Sequence, residues 1–170
     1  MQKQVPYGEA IGLKYPEQVV IAIAKDAAGK CNPITLGWTM ITSGSPPMMA
    51  ISVGLTRHSL GVLRAADGFV IAMPSEAQEA ETMLFGTKSG RDGDKFAEAG
   101  TALAPAEQID CEIMTDAVAN FECRKVAELA TGDHVLFVGE VVCAHVNPDR
   151  PNRLYTVGGG YKMAGLGRQS

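Results

Sequence analysis

Two periods of apolar and polar positions alternate along this chain, and each change from one to the other marks an element. Residues 18–25 are apolar and β-branched between Pro16 and Asp26-Ala27-Ala28-Gly29, the pattern of a buried strand followed by a turn. A second run over residues 34–43 and a third over 48–54 are parted by Gly44-Ser45-Pro46-Pro47, a strong breaker. Three strands so early in the chain predict a meander. Residues 57–66 bring Leu60, Val62, Leu63 and Ala66 close to a 3.6-residue period, which predicts a short helix ended by Asp67-Gly68. Residues 69–73 then form a strand. Ser75 and Gln78 stand at the spacing where each side chain satisfies an orphan amide of a first helical turn, and Ala77, Ala80, Met83 and Leu84 supply the expected apolar face of that helix. Ser89-Gly90-Arg91-Asp92 repeats a capping pattern ahead of a short helix through Lys95, Phe96 and Ala99.

The last third returns to the two-residue period. Residues 120–129 predict a strand, 130–133 a turn, and 134–146 a long strand. Along it Leu136, Val138 and Val142 share one face while Val135, Phe137, Val141 and Cys143 share the other, so neither face is built for water. One side fills a barrel; the other needs a helix or a second subunit over it, and Gly139 marks a close approach. Many strands with few, short helices predict a mainly β chain, α+β by content, folded as a small barrel with peripheral helices.

Composition narrows the setting. A chain of 170 residues without internal repeats or a linker reads as one domain spanning residues 1–170. Lys plus Arg number 15 against 19 Asp plus Glu, with no basic block, which argues against a nucleic-acid binder or a polybasic membrane surface. The longest apolar runs fall short of the roughly 18–20 residues that span a bilayer, and residues 1–7 lack an apolar signal region. The expectation is a soluble, cytoplasmic protein. Cys31, Cys111, Cys123 and Cys143 form no CxxC pair and stand apart from zinc-type spacings with His58, His134 and His145, so reduced thiols and no metal are expected.

Candidate chemistry comes from two polar turns, each ahead of a helix. Thr56-Arg57-His58-Ser59 and Ser89-Gly90-Arg91-Asp92 with Lys95 combine helix-start amides, hydroxyls and cations, the donors that a phosphate dianion requires. Each is also what a plain cap looks like, and Asp92 and Asp94 would repel an anion they faced. Gly37, Trp38, Thr39 and Met40 offer an apolar slot for a planar ring; the alternative is that Trp38 and Met40 pack in the core. No Walker A loop, G-x-S-x-G elbow or Rossmann context around Gly158-Gly159-Gly160 is present.

Taken in order, Asn32-Pro33-Ile34-Thr35 with Gly37-Trp38-Thr39-Met40, Pro46-Pro47, Arg57-His58-Ser59, Ser89-Gly90-Arg91-Asp92 with Asp94-Lys95-Phe96, and Gly132-Asp133-His134 with Gly139-Glu140-Val141 resemble the flavin reductase-like proteins, most closely their flavoredoxin branch. The resemblance runs from about residue 19 to 146. It implies an FMN-binding split β-barrel, a homodimer with flavin near the subunit interface, and hence a cover for the long last strand. By the same motifs Asn32, Trp38, Thr39 and Met40 would line the flavin ring and ribityl chain, with Ser52, Val53 and Gly54 offering backbone groups to the ring edge. Thr56, Arg57 and Ser59 would hold the phosphate, joined by Ser89, Arg91 and Lys95 of the second turn. His134 falls in a segment associated with the nicotinamide substrate in related reductases, and a hairpin turn carrying a surface His is its alternative. Trp38-Thr39-Met40 replaces the serine-rich stretch of reductases that serve two-component monooxygenases, so a dedicated oxygenase partner is not expected. The resemblance thus implies an oxidoreductase that takes hydride from NAD(P)H and passes electrons to flavin, ferric chelates or a protein. An FMN electron carrier without NAD(P)H turnover and a non-catalytic ligand-binding barrel are the alternatives. Tyr155, Tyr161 and the rest of residues 155–170 are left unassigned.

Overall fold

The structure, a computed structural model, describes residues 1–167; the last part of the unassigned tail, residues 168–170, lies outside them. In chain order the elements are α1 (Tyr7–Ile11), β1 (Glu17–Gln18), β2 (Val20–Lys25), β3 (Cys31–Leu36), β4 (Thr39–Gly44), β5 (Pro47–Gly54), α2 (His58–Ala65), β6 (Gly68–Met73), α3 (Glu79–Thr87), α4 (Lys95–Ala99), β7 (Leu103–Pro105), β8 (Glu112–Met114), β9 (Ala119–Thr131), β10 (His134–Val146), β11 (Asn152–Gly158) and β12 (Lys162–Gly167). Short 3-10 turns at Glu76–Gln78 and Gly90–Asp92 precede α3 and α4. Seven strands form one antiparallel sheet in the order β3-β2-β6-β9-β10-β5-β4. The strands β1, β11 and β12 form a second sheet. Among the described residues no helix is long and apolar enough to cross a membrane.

The meander expected from the first three runs is replaced by two hairpins at opposite ends of this sheet: β2 pairs with β3, and β4 with β5. The run over 34–43 is two strands, broken at Gly37-Trp38. There the Trp38 carbonyl accepts a hydrogen bond from the Ser52 amide at 3.0 Å, and a Cβ on Gly37 would lie 3.0 Å from the Glu17 carboxylate.

Side chains from both ends of the sheet meet in one core: Val20 and Ala22 of β2, Ile34 of β3, Ile51 and Val53 of β5, Phe69, Val135 and Phe137, capped by Leu60 and Leu63 of α2. The sheet therefore rolls into a barrel left split between β3 and β4. Burial on both sides of β2 has a plain cause. Its alternate residues Ile21 and Ile23 face outward, beneath Phe85 of α3, Phe96 of α4 and Met114, with the two phenyl rings edge to face at 5.3 Å. The Lys125 ammonium closes the end of α2 by donating to the carbonyls of Leu63 at 2.9 Å and Arg64 at 2.7 Å, as cations do at helix C-termini.

The expected apolar face of α3 is rotated. Ala77 and Ala80 are exposed, Met83 and Leu84 half-buried, and Thr82 and Phe85 buried. Thr82 can turn inward because its hydroxyl donates to the Gln78 carbonyl at 2.8 Å, which removes the cost of burying it. The amide of Ser75 donates to the Gln78 side chain at 3.1 Å as the capping spacing predicts. For α4 the cap is Asp94, whose carboxylate accepts from the amides of Phe96 and Ala97, both at 3.1 Å, while Ser89 caps only the 3-10 turn before it.

In β10, Val135 and Phe137 reach the core, and Leu136 and Val138 are half-buried on the outer face. Two register shifts against β9, after Val138 and after Val141, change the rest. Val141 pairs with Cys123 and Cys143 with Glu122. Neighbours on β9 face opposite ways, so Val141 and Cys143 do not share a face as strict alternation predicts. At Gly139 a Cβ would lie 2.6 Å from the Cys123 Cβ and 2.9 Å from the Phe69 ring. Gly139→Ala is expected to cost roughly 1–3 kcal/mol by overpacking, read as a lowered urea midpoint with unchanged slope; an unchanged midpoint would mean that the barrel yields freely there.

Candidate functional site

The split between β3 and the β4–β5 hairpin opens into a cavity of about 330 Å³. Ile34 to Leu36 form one wall, Trp38 with Ser52 and Gly54 another, and His134 at the start of β10 closes the end. A second cavity of about 160 Å³ lies between the N-terminus of α2 and the turn before α4. Ile34, Arg57, Gly86 and Thr87 line both, so slot and cup are continuous.

The cup is built by three segments tied to one another. The Asn32 side-chain amide donates to the Ser59 hydroxyl at 2.8 Å, which leaves that hydroxyl's own proton to donate into the cup. The other end of Asn32 sets the second turn, because a Cβ on Gly90 would fall 2.0 Å from its Oδ1. Only glycine lets residues 89–92 approach so closely. Thr56, Arg57, Ser89, Arg91 and Lys95 also line it, beside His58 and Lys88. Asp94 is turned away, its Oδ1 capping α4 and its Oδ2 3.6 Å from Lys30, and Asp92 is not part of the wall. Neither Arg57 nor Arg91 belongs to an ion pair among the described residues.

Lys95 is the unusual member. It is 3% exposed, and its ammonium donates to the Pro33 carbonyl and, at 3.3 Å, to that of Phe85. Burial pushes its pKa down from 10.5 to about 8. Among the described residues no carboxylate pairs with this ammonium, and an ammonium carries three donors. One is left for an anion in the cup.

At the far end of the slot the His134 ring lies 4.6 Å from the Trp38 ring, tilted by 41°. Its Nδ1 is 2.7 Å from the Asp133 carboxylate, which this contact holds below the usual carboxylate range. His134 therefore forms part of the wall and is not a free surface side chain. The core alternative for Trp38 and Met40 fails, since they are 47% and 52% exposed.

Of the residues expected at the site, Trp38, Ser52, Gly54 and His134 meet in the slot, and Thr56, Arg57, Ser59, Ser89, Arg91 and Lys95 in the cup. Thr39 and Met40 line neither; the Thr39 hydroxyl donates to the Ala50 carbonyl at 2.9 Å, across the edge hairpin. Val53 sends its side chain into the core, and the Ser52 amide is already engaged by Trp38.

Several lining residues carried no local signal. Lys14, Tyr15 and Glu17 come from the N-terminal segment, and Tyr161 and Met163 from the tail. The Lys14 ammonium is 5.8 Å from the centre of the Trp38 ring and 2.6 Å from Glu17. Pairing of Glu17 with Thr156 and of Gln18 with Tyr155 brings chain start and tail together. Tyr161 thus lies over this chain's own slot, held by a turn in which Gly160 and Tyr161 have φ of 72° and 61°. Tyr155 stays in the small sheet beneath the Arg153 guanidinium, 5.1 Å away.

Comparison with known proteins adds four findings. The flavin reductase like domain matches residues 12–165. The stachydrine N-demethylase reductase subunit of Rhizobium meliloti is 32% identical over 133 residues, 78% of this chain but 55% of that subunit, so the chain spans about half its length. The NADH:riboflavin 5'-phosphate oxidoreductase of Streptomyces pristinaespiralis is 27% identical over 124 residues, 73% of this chain and 68% of that protein. Among solved structures, the flavoredoxin of Methanosarcina acetivorans is similar in fold, with a TM-score of 0.87 over 100% of this chain and 94% of its own at 19% identity.

Proposed function

The chain belongs to the flavin reductase like domain family, and on that premise we propose that it binds FMN along the split and passes electrons from NAD(P)H to free flavin, a ferric chelate or a protein. The observation that carries the reading is the Lys95 ammonium, buried with no paired carboxylate among the described residues in a cup that is continuous with the slot beside Trp38. Burying a cation without a counter-charge is costly unless a ligand supplies one. Phosphate does so.

In this reading Arg57, Arg91 and Lys95 neutralise the phosphate, and the hydroxyls of Thr56, Ser59 and Ser89 donate to its oxygens. Asn32 acts one layer back, orienting Ser59 and setting the distance of the Gly90 turn. Trp38, Ser52 and Gly54 flank the ring system, with Val53 contributing backbone only. Thr39 and Met40, which line neither cavity, are given no part in holding the ring in this reading. His134, fixed by Asp133 and Trp38, bounds the position for the nicotinamide, and Tyr161 with Lys14 screens the slot from water. Bound flavin supplies the hydride-accepting and electron-donating chemistry; the chain binds it, orients it and limits access.

The reading extends to a homodimer. Leu136 pairs with Leu129 on the outer face, and Leu129, Val126 and Met40 are all exposed, apolar side chains that a second copy would cover. Sedimentation at micromolar concentration tests this, a monomer with flavin bound being the adverse result. A cytoplasmic setting suits the four free cysteines.

The deciding experiment is anaerobic spectroscopy of the flavin-loaded protein. Prompt bleaching of the flavin bands by NADH or NADPH is expected. Bands that persist until dithionite is added would replace the reductase by an electron carrier, and failure to take up FMN would leave only the fold.

A further inference from the structure

A second group of side chains meets on the outer face of β9 and β10, and none of its members lines the slot or the cup. It comprises Glu122, Cys143 and His145, with Glu107 of the loop between β7 and β8 beside them. The register shift after Val141 creates it. Val142 is the extra residue there, so Cys143 comes to lie opposite Glu122, and His145, two residues on, projects to the same side. Bulges of this kind re-aim side chains.

Glu122 is fully buried, and its carboxylate is oriented by the amides of Glu107 at 2.9 Å, Gln108 at 2.7 Å and Ile109 at 3.3 Å. Its Oε1 also lies 2.6 Å from the His145 Nε2. The Cys143 Sγ is 3.5 Å from that same nitrogen and 4.0 Å from the Glu107 carboxylate. Ligand bonds of about 2.0–2.3 Å in a tetrahedral zinc site imply ligand-to-ligand edges of roughly 3.3–3.7 Å. The sulfur–nitrogen edge has that length already. The oxygen–nitrogen edge is that of a hydrogen bond, and it opens by less than an ångström when an ion replaces the shared proton.

We propose that Glu122, Cys143 and His145, with the exposed Glu107 as a fourth donor, form a binding site for a divalent transition-metal ion of zinc's character. One thiolate, one imidazole and carboxylate oxygens match zinc and exclude magnesium or calcium, which take oxygen alone. Backbone amides that orient a ligating carboxylate are the supporting layer such sites require. Binding releases the thiol proton to solvent, and the proton shared by Glu122 and His145 leaves Nε2, passing to Nδ1 of a neutral ring or to solvent from a charged one, so that the imidazole ligates through Nε2 with one proton on Nδ1. The ion ties residues 107–109 to the β9–β10 pair, so its effect is on stability and not on the flavin slot.

The test is titration of the full chain with Co²⁺, recorded as a difference spectrum against the same sample without metal, followed by displacement with Zn²⁺. A thiolate-to-cobalt charge-transfer band and strong visible bands of a four-coordinate ion are expected, saturating at one equivalent. Cys143→Ser removes the charge-transfer band, and Glu107→Gln, at an exposed position that folding does not need, weakens Zn²⁺ about 10-fold. Zn²⁺ raises the thermal midpoint of the parent protein but not that of Cys143→Ser, whose far-ultraviolet spectrum without metal shows whether it is folded. No charge-transfer band, or one that survives in Cys143→Ser, overturns the proposal and leaves Glu122 and His145 as a structural hydrogen-bonded pair.

Discussion

Lys95→Met is expected to weaken FMN binding about 10- to 150-fold, since a hydrogen bond to a charged group contributes roughly 1.5–3 kcal/mol and each 1.4 kcal/mol is tenfold in affinity. Methionine fills much of the same volume, so the loss reports charge and donors more than packing. The dependence on pH separates this from a structural effect. With its pKa lowered from 10.5 to about 8 by burial, Lys95 in the flavin-free protein loses its proton above that pH. FMN affinity therefore falls as pH rises through about 8 in the parent and stays flat in Lys95→Met.

The stability of the flavin-free protein moves the opposite way. Between about pH 8 and 10.5 the unfolded chain holds more protons on Lys95 than the folded one, so stability rises with pH across that window; Lys95→Met lacks the rise. Arg57→Ala should weaken FMN without adding pH dependence, because a guanidinium stays charged throughout. Titration by flavin fluorescence quenching between pH 6.5 and 9.5 measures all three proteins. Parent-like affinity and pH profile in Lys95→Met would move the phosphate out of the cup.

The largest loss of stability is expected at Glu122. Glu122→Leu, unfolded in urea with a chelator present to exclude any metal contribution, should lose roughly 3–5 kcal/mol, the range for removing one partner from a buried charged group's network. The carboxylate accepts from three successive backbone amides and meets His145, and leucine returns none of these bonds. The amides of residues 107–109 then open to water or remain unpaired. Glu122→Gln retains one acceptor oxygen and should fall between. A Leu variant within 1 kcal/mol of the parent would mean that the loop is held by its apolar contacts, Ile109 and Cys111 among them.

The candidate site was legible where its chemistry is local. Arg57 with Ser59, and Ser89 with Arg91 and Lys95, are short stretches whose hydroxyls, cations and helix starts suit an anion as well as a plain cap, and the structure brings both stretches to one cavity. The slot was legible only in part. Trp38 lines it, but Thr39 and Met40 follow the edge hairpin away from it, because the chain breaks at Gly37, a break that periodicity does not register. Lys14 and Tyr161 reach the slot through pairing of β1 with β11, elements at opposite ends of the chain, as the partners Glu17 and Thr156 show.

The sequence by itself determined the elements with strong, self-contained patterns. The last long strand runs over His134–Val146 as its apolar run predicts, α2 lies within its predicted span, and Ser75 with Gln78 opens the next helical segment. Burial, capping and turn chemistry in these segments depend on residues only a few positions apart, which a linear pattern records. Only the tertiary structure decided which strands are neighbours, where β10 slips by one residue to bring Cys143 opposite Glu122, and which distant segments close the slot. A strand buried on both faces has no polar side to mark its register, so its partner is chosen by packing across the barrel, a contact that sequence distance does not encode.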